Sequence, residues 1–408
     1  MKKHLIIYSF QSIEDPLLKG LMLEYILRLN NNSNDVTYHL ISHEQEPFIL
    51  KGVNKNRKYD YLKNRNIIWY PINYKNGKLL LLKKLLNFIQ TLIICLKIKI
   101  KFKPKAIIGF LPIAGGFSYI IANLLRLKLI VFCFEPHSDY MVDFKIWKKK
   151  SIKYKLLNKF ETLQLKNADY LVLPTSYSIH KANLVNPHSK KYLVPISIDT
   201  DAMKFSLEKR QKVRTEINAN NKIVIIYTGK FGGIYYSSDE IISFFKKLYE
   251  QNKNYFIYII TPNTNDVNTS IKKQQLSSDS YFVSNTVPYE ELSFHISAAD
   301  IGLVAVPPFP SQKYRTPVKS AIYLSCGIPY IINKGIAEDD LVAEKENVGI
   351  VVENIKMTSA ESIDRKIISL LSNDRALLRE NCKKTAKKYR GIDNSTLALY
   401  EIINDLFA

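Results

Sequence analysis

IGLVAVPPFPSQKYRTPVKSAIYLSCGIPYIIN, Ile301 to Asn333, compresses a complete strand, loop, helix and strand into one stretch. Ile301–Val306 is a short apolar run of strand length, and Thr316 followed by Pro317 is a helix start, because proline at the first helical position gives up only an N–H that has no partner there. Gly327 and Pro329 then turn the chain into a second apolar run, Tyr330–Asn333. Two strands joined by a helix specify a parallel pair. The loop also delivers Arg315 and Lys319 to the beginning of that helix. Free N–H groups, helix dipole and two cations share one sign there, which suits a diphosphate. The same residues also read as two solvated loop cations.

The alternation continues in both directions. Strands are expected at His4–Ser9, Val36–Ser42, Ile67–Tyr70, Ala106–Phe110, Leu129–Phe134, Tyr170–Pro174 and Tyr192–Pro195. A second series is expected at Ile223–Thr228, Phe256–Thr261, Tyr281–Ser284, Ile301–Val306, Tyr330–Asn333 and Ile350–Val352. Helix-length segments separate them, among them Leu17–Leu29, Leu79–Lys101, Lys145–Lys166 and Ser238–Asn252. The polar run Ile198–Asn221 divides the series, so the expected fold class is α/β, with two Rossmann-like doubly wound domains facing a central cleft. The expected boundaries are 1–198, 199–385 and a terminal helix, 386–408, packing back on the first domain. A chain of 408 residues exceeds what one core organises, and 46% hydrophobic with 24% charged residues excludes disorder and collagen-like repeats.

At the end of the Ile223–Thr228 strand stands IYTGKFGG, Ile226 to Gly233. Gly229, Gly232 and Gly233 let backbone N–H groups approach an anion, and Lys230 adds a mobile charge. Neither GxGxxG nor GxxxxGK[ST] is matched, and a glycine turn beside a solvated lysine describes the residues equally well.

The pattern P-x-K-x-x-x-Y-L-x-x-G-x-P-x-I from Pro317 resembles the donor-site signature of GT-B glycosyltransferases, particularly glycosyltransferase family 4. YTGK and VPYEELSFHISAADIGLV (Val287 to Val304) precede it in that family's order. FEPHSDY, FETLQLKNADYLVLPTS and VPISIDTDAMKF extend the likeness, more weakly, into the first half. The resemblance implies that Gly229, Lys230 and Lys319 meet the donor pyrophosphate, that Val287 and Tyr289 lie on the turn framing the nucleobase, and that His137 is a cleft histidine at the donor sugar. It further implies a retaining transferase that uses no cofactor, the nucleotide-sugar being the substrate. A departure accompanies it. Tyr314 and Ile322 occupy the places of the family's E-x7-E carboxylates, and Glu338, ahead of Asp339 and Asp340, is the candidate substitute. The expected reacting set is therefore His137, Lys230 and Lys319, with donor contacts from Gly229, Gly232, Gly233, Val287, Tyr289, Arg315 and Glu338. No metal site is expected, since no DxD-type motif stands out and the four cysteines lie far apart without a CxxC pair. On residues alone, His137 beside Glu135 and Asp139 reads as well as a satisfied loop histidine.

The net charge of +22 is uneven: residues 1–206 carry 33 Lys and Arg against 14 Asp and Glu, whereas residues 207–408 carry 26 against 23. A one-sided excess calls for an anionic partner. An anionic membrane surface is expected, with Lys83, Lys84, Lys97, Lys99 and Lys101 on one helix and Lys148–Lys150, Lys153 and Lys155 beside them. No nucleic-acid motif accompanies the charge. The MKKHLIIYSF run is too short for a signal peptide and no apolar run is long enough to span, so a cytoplasmic, peripheral location is expected. The resulting expectation is transfer of a sugar from a nucleotide-sugar to a glycan or lipid-linked acceptor in bacterial surface polysaccharide synthesis. A sugar-nucleotide epimerase of the same plan and a non-catalytic glycan-binding homologue are the alternatives.

Overall fold

The computed structural model describes residues 2–32, 35–74, 80–133 and 135–408. Two expectations touch positions outside these: the strand ending at Phe134 and the helix beginning at Leu79. The chain forms two compact units, residues 1–196 with 392–408, and residues 197–391.

Among the described residues, unit 1 holds seven strands: β1 (Lys3–Ser9), β2 (Val36–Glu44), β3 (Ile67–Asn73), β4 (Ala106–Phe110), β5 (Lys128–Phe132), β6 (Tyr170–Leu173) and β7 (Lys190–Leu193). All pairs are parallel, in the order β3-β2-β1-β4-β5-β6-β7. The order reverses between β1 and β4. On one face the Leu80–Phe102 helix buries Cys95 and Ile98 against Ile6, Ile107 and Leu129. The terminal Ile392–Phe407 helix also belongs to this unit, burying Leu399 and Ile402.

Unit 2 holds β8 (Ile223–Thr228), β9 (Tyr255–Ile260), β10 (Tyr281–Ser284), β11 (Ile301–Val304), β12 (Tyr330–Asn333) and β13 (Gly349–Val352). These too are all parallel, in the order β10-β9-β8-β11-β12-β13. The reversal falls between β8 and β11, where Ile301 pairs with Ile225. Strands covered on both faces must be apolar throughout, and β9, YFIYII, is buried at every position. Open parallel sheets bind ligands outside the carboxyl ends of their strands at such a reversal.

Differences from expectation have local causes. The polar run 198–221 contains a helix, Leu207–Glu216, capped by the Ser206 hydroxyl. Its Arg210 and Arg214 pair with buried Asp300 at 2.7 and 2.5 Å. The Lys145–Lys166 segment is helical only from Ile152, because Ser151 caps there by accepting from the Tyr154 N–H. Pro317 is the cap residue of the Val318–Ser325 helix, not its first turn. Unit 2 begins and ends at adjacent points: Ile198 bridges Gly391, and its N–H donates to the Arg390 carbonyl at 3.0 Å.

Candidate functional site

β8 ends at Thr228, and Gly229 follows with φ of +128°, a backbone conformation that other residues rarely adopt. A Cβ at Gly229 would lie 2.8 Å from Lys319 Cε and 2.9 Å from Nζ, so glycine is also what lets Lys319 lie across the strand end. Lys319 belongs to the Val318–Ser325 helix beyond β11. The two arms of the sheet reversal thus meet in one contact.

The surroundings of the ammonium are aromatic. Lys319 Nζ donates to Tyr227 Oη at 3.2 Å and lies 4.3 and 5.1 Å from the ring centroids of Tyr227 and Tyr235. Arg315 donates to Tyr235 Oη at 3.2 Å. Two cations therefore share one tyrosine, and no carboxylate pairs with Lys319 among the described residues. Burial, assisted by Arg315, pushes the Lys319 ammonium down to about 7. A buried ammonium beside a second cation favours an incoming anion.

Arg390 fixes the helix that carries Lys319. It donates to the Pro317 carbonyl at 2.6 Å, the Ser320 hydroxyl at 3.1 Å and Asp339 Oδ1 at 2.5 Å. Ser320 donates in turn to Asp339. Burial raises the Asp339 carboxyl above its ordinary range, against the pull of Arg390. Asp340 accepts from the Gly335 and Leu341 N–H groups at 2.7 and 2.9 Å. Asp339 and Asp340 are thus committed to structure; Glu338 stands half-buried at the start of the Asp339–Lys345 helix.

The residues singled out from the sequence divide accordingly. Gly229, Lys319 and, through Tyr235, Arg315 come together. Lys230 is exposed; its carbonyl accepts from Tyr227 Oη at 2.6 Å, and its ammonium has no hydrogen bond or ion pair among the described residues. Gly232 and Gly233 have positive φ, and a Cβ on either would meet nothing within 4 Å. Val287 packs on the core beyond β10 and Tyr289 is exposed at the start of the next helix. The tyrosines and the Ser320–Asp339–Arg390 clamp were not singled out. An aromatic every few residues beside a lysine, as in YTGKFGGIYY, is the signal that points to the former.

His137 stands in unit 1 just beyond β5, opening the His137–Asp143 helix. Its Nδ1 lies 3.2 Å from Glu135 Oε1, and its ring packs near Tyr140 and Trp147. The same turn is held by Glu161, which accepts from the Ser138 N–H at 3.0 Å and its hydroxyl at 2.5 Å. Burial pushes the Glu161 carboxyl up to about 7 despite those bonds.

Comparison with known proteins agrees with this architecture. Residues 234–391 match the family model described as glucosyltransferase 3-like, C-terminal domain. No curated protein matches the sequence. Among solved structures, HepE of Anabaena in complex with UDP superposes with a TM-score of 0.68 at 12% identity, over 99% of this chain and 100% of that one. Sucrose-phosphate synthase of Thermosynechococcus elongatus gives 0.69 at 14% identity, over 100% and 99%. WaaG, a glycosyltransferase involved in lipopolysaccharide biosynthesis, gives 0.64 at 13% identity, over 96% and 98%. Two parallel-sheet α/β units in this arrangement of strands make the fold that of the GT-B glycosyltransferases.

Proposed function

We propose that this chain is a glycosyltransferase that takes a sugar from a nucleoside-diphosphate donor and passes it to a membrane-associated glycan or lipid-linked acceptor. The observation that carries the reading is the meeting of Gly229, Lys319 and Arg315 around Tyr227 and Tyr235 at the β8–β11 reversal. Charge grows on the leaving diphosphate as the glycosidic bond breaks, and Lys319, Arg315 and the N–H groups after β8 would stabilise it. Lys230 would add a mobile cation, Val287 and Tyr289 would frame the base, and Glu338 would take up donor hydroxyls. His137, oriented by Glu135, would act on the sugar side. Transfer would retain anomeric configuration, without a metal or cofactor, as the family 4 likeness implies. The UDP bound by HepE supports a uridine nucleotide as the first donor to test. The lysine excess of residues 1–206 supports an anionic membrane surface, on the cytoplasmic side, as the place where a surface-polysaccharide acceptor is met.

Isothermal titration with UDP-, GDP- and CMP-sugars tests the donor site. One nucleotide-sugar should bind, and Lys319→Ala should weaken it at least about tenfold, the worth of one charge-assisted phosphate contact. Absence of binding by all three would overturn the reading, and unchanged affinity in the variant would remove Lys319 from it.

A further inference from the structure

We infer that the Leu80–Phe102 helix of unit 1 lies in the headgroup plane of an anionic bilayer, its outer apolar stripe entering the lipid and its lysines meeting phosphate. The inference rests on the membrane-surface reading above and names the element responsible. At 1.5 Å per residue, this 23-residue helix is about 34 Å long. Its inner face is accounted for, with Thr91, Cys95 and Ile98 buried. Its outer face is not polar. Leu85, Leu86, Ile89, Ile93, Leu96 and Ile100 are 44–71% exposed. At 100° per residue these six fall within one arc of about 100°, a continuous stripe along the helix. Contiguous exposed apolar surface of this kind marks an interaction site.

Charge selects the occupant. The helix contains no Asp or Glu, and the same helical projection sets Lys97 and Lys101 along one flank of the stripe and Lys99 along the other. Burial, assisted by Lys153, holds the half-buried Lys84 ammonium below its usual value, so the start of the Ile152–Asn167 helix shares this neighbourhood. That helix start repeats the composition, with Ile152 and Leu156 exposed beside exposed Lys153 and Lys155. A second copy of the chain would bring lysine against lysine with no acid between. Nucleic acid would engage the lysines and leave six large apolar side chains in water. A bilayer satisfies both groups, since hydrocarbon accepts the stripe and headgroup phosphates accept the cations. The helix would lie along the interface, as no helix among the described residues is long and apolar enough to cross a membrane.

The test is flotation of the full chain with phosphatidylcholine vesicles, with and without phosphatidylglycerol. Wild-type protein should float with the anionic vesicles and be released by molar salt. Ile89→Ser with Ile93→Ser, and separately Lys97→Glu with Lys101→Glu, should each weaken partitioning about tenfold or more. Leu377→Ser, an exposed apolar position of unit 2, should change nothing. A tryptophan at Ile93 should shift its emission to the blue in anionic vesicles only. Equal flotation of wild type and all variants would overturn this inference while leaving the membrane reading intact. Failure of the wild type to float would overturn both, with donor titration still deciding the transferase reading. Self-association abolished by Ile89→Ser with Ile93→Ser, in the absence of vesicle binding, would assign the stripe to a second copy instead.

Discussion

Lys319 is buried beside Arg315, where a positive charge is costly even with two tyrosine rings to attract it, and near neutral pH its proton is only loosely held. A bound diphosphate would supply the missing counter-charge, so the donor should prefer the protonated lysine. Affinity should be greatest below about pH 7 and fall as pH rises through that value, approaching about tenfold per unit before levelling off. Calorimetry across this range should show the decline in wild type and a weak, flat profile in Lys319→Ala. The sign for folding is the reverse. Between about 7 and the ordinary 10.5, the unfolded lysine keeps a proton that the folded one releases, so the empty protein should gain stability as pH rises. Lys319→Met should therefore raise the melting temperature at pH 7, by about 1–2 kcal/mol in stability, while removing stabilisation by the donor. A melting temperature below wild type would show that the lysine supports the fold.

At the scale of the element, β2 shows how a strand can conceal its most consequential side chains. All nine residues of VTYHLISHE are buried, two histidines and a glutamate included. Burial pushes His43 down to about 4; burial with His4 alongside does the same to His39. Both are neutral in the folded chain and protonate in the unfolded one as pH falls below about 6.5. Stability should accordingly be complete above that pH and drain away toward pH 4, by up to about 3 kcal/mol for each histidine. Thermal melts over this interval should show it, and His43→Phe should blunt the decline; an identical decline would exonerate that histidine. The strand was legible as Val36–Ser42, where apolar residues dominate. His43 and Glu44 extend it because the imidazole stacks on Phe10 at 4.3 Å and the carboxylate accepts from the Ile13 N–H, partners about thirty residues away in sequence, as well as from neighbouring Ser42. β7 was misplaced for the opposite reason: Lys190 and Lys191 belong to an edge strand, where one side need not be apolar.

The whole molecule was more legible than its parts. Thirteen runs, apolar along most of their length and set at helix-length spacings, point to parallel sheets, because short strands of this kind are best buried between covering helices. The Gly229 turn and the helix after Arg315 were legible too, each from a local pattern, although Pro317 caps that helix where the sequence placed it in the first turn. What holds that helix in place was not: Arg390 reaches Pro317 and Asp339 across more than fifty residues, and no local pattern announces such a bond.

One feature of the connectivity has a practical meaning. Because Ile198 pairs with Gly391, residues 197–391 leave the polypeptide's main course and rejoin it at neighbouring points, like a cassette spliced into a host. The cassette should be excisable. Expressed by itself, it should melt cooperatively and still bind the nucleotide-sugar within about threefold of the intact chain; a fragment that folds but has lost that affinity would mean that the host contributes to the donor pocket.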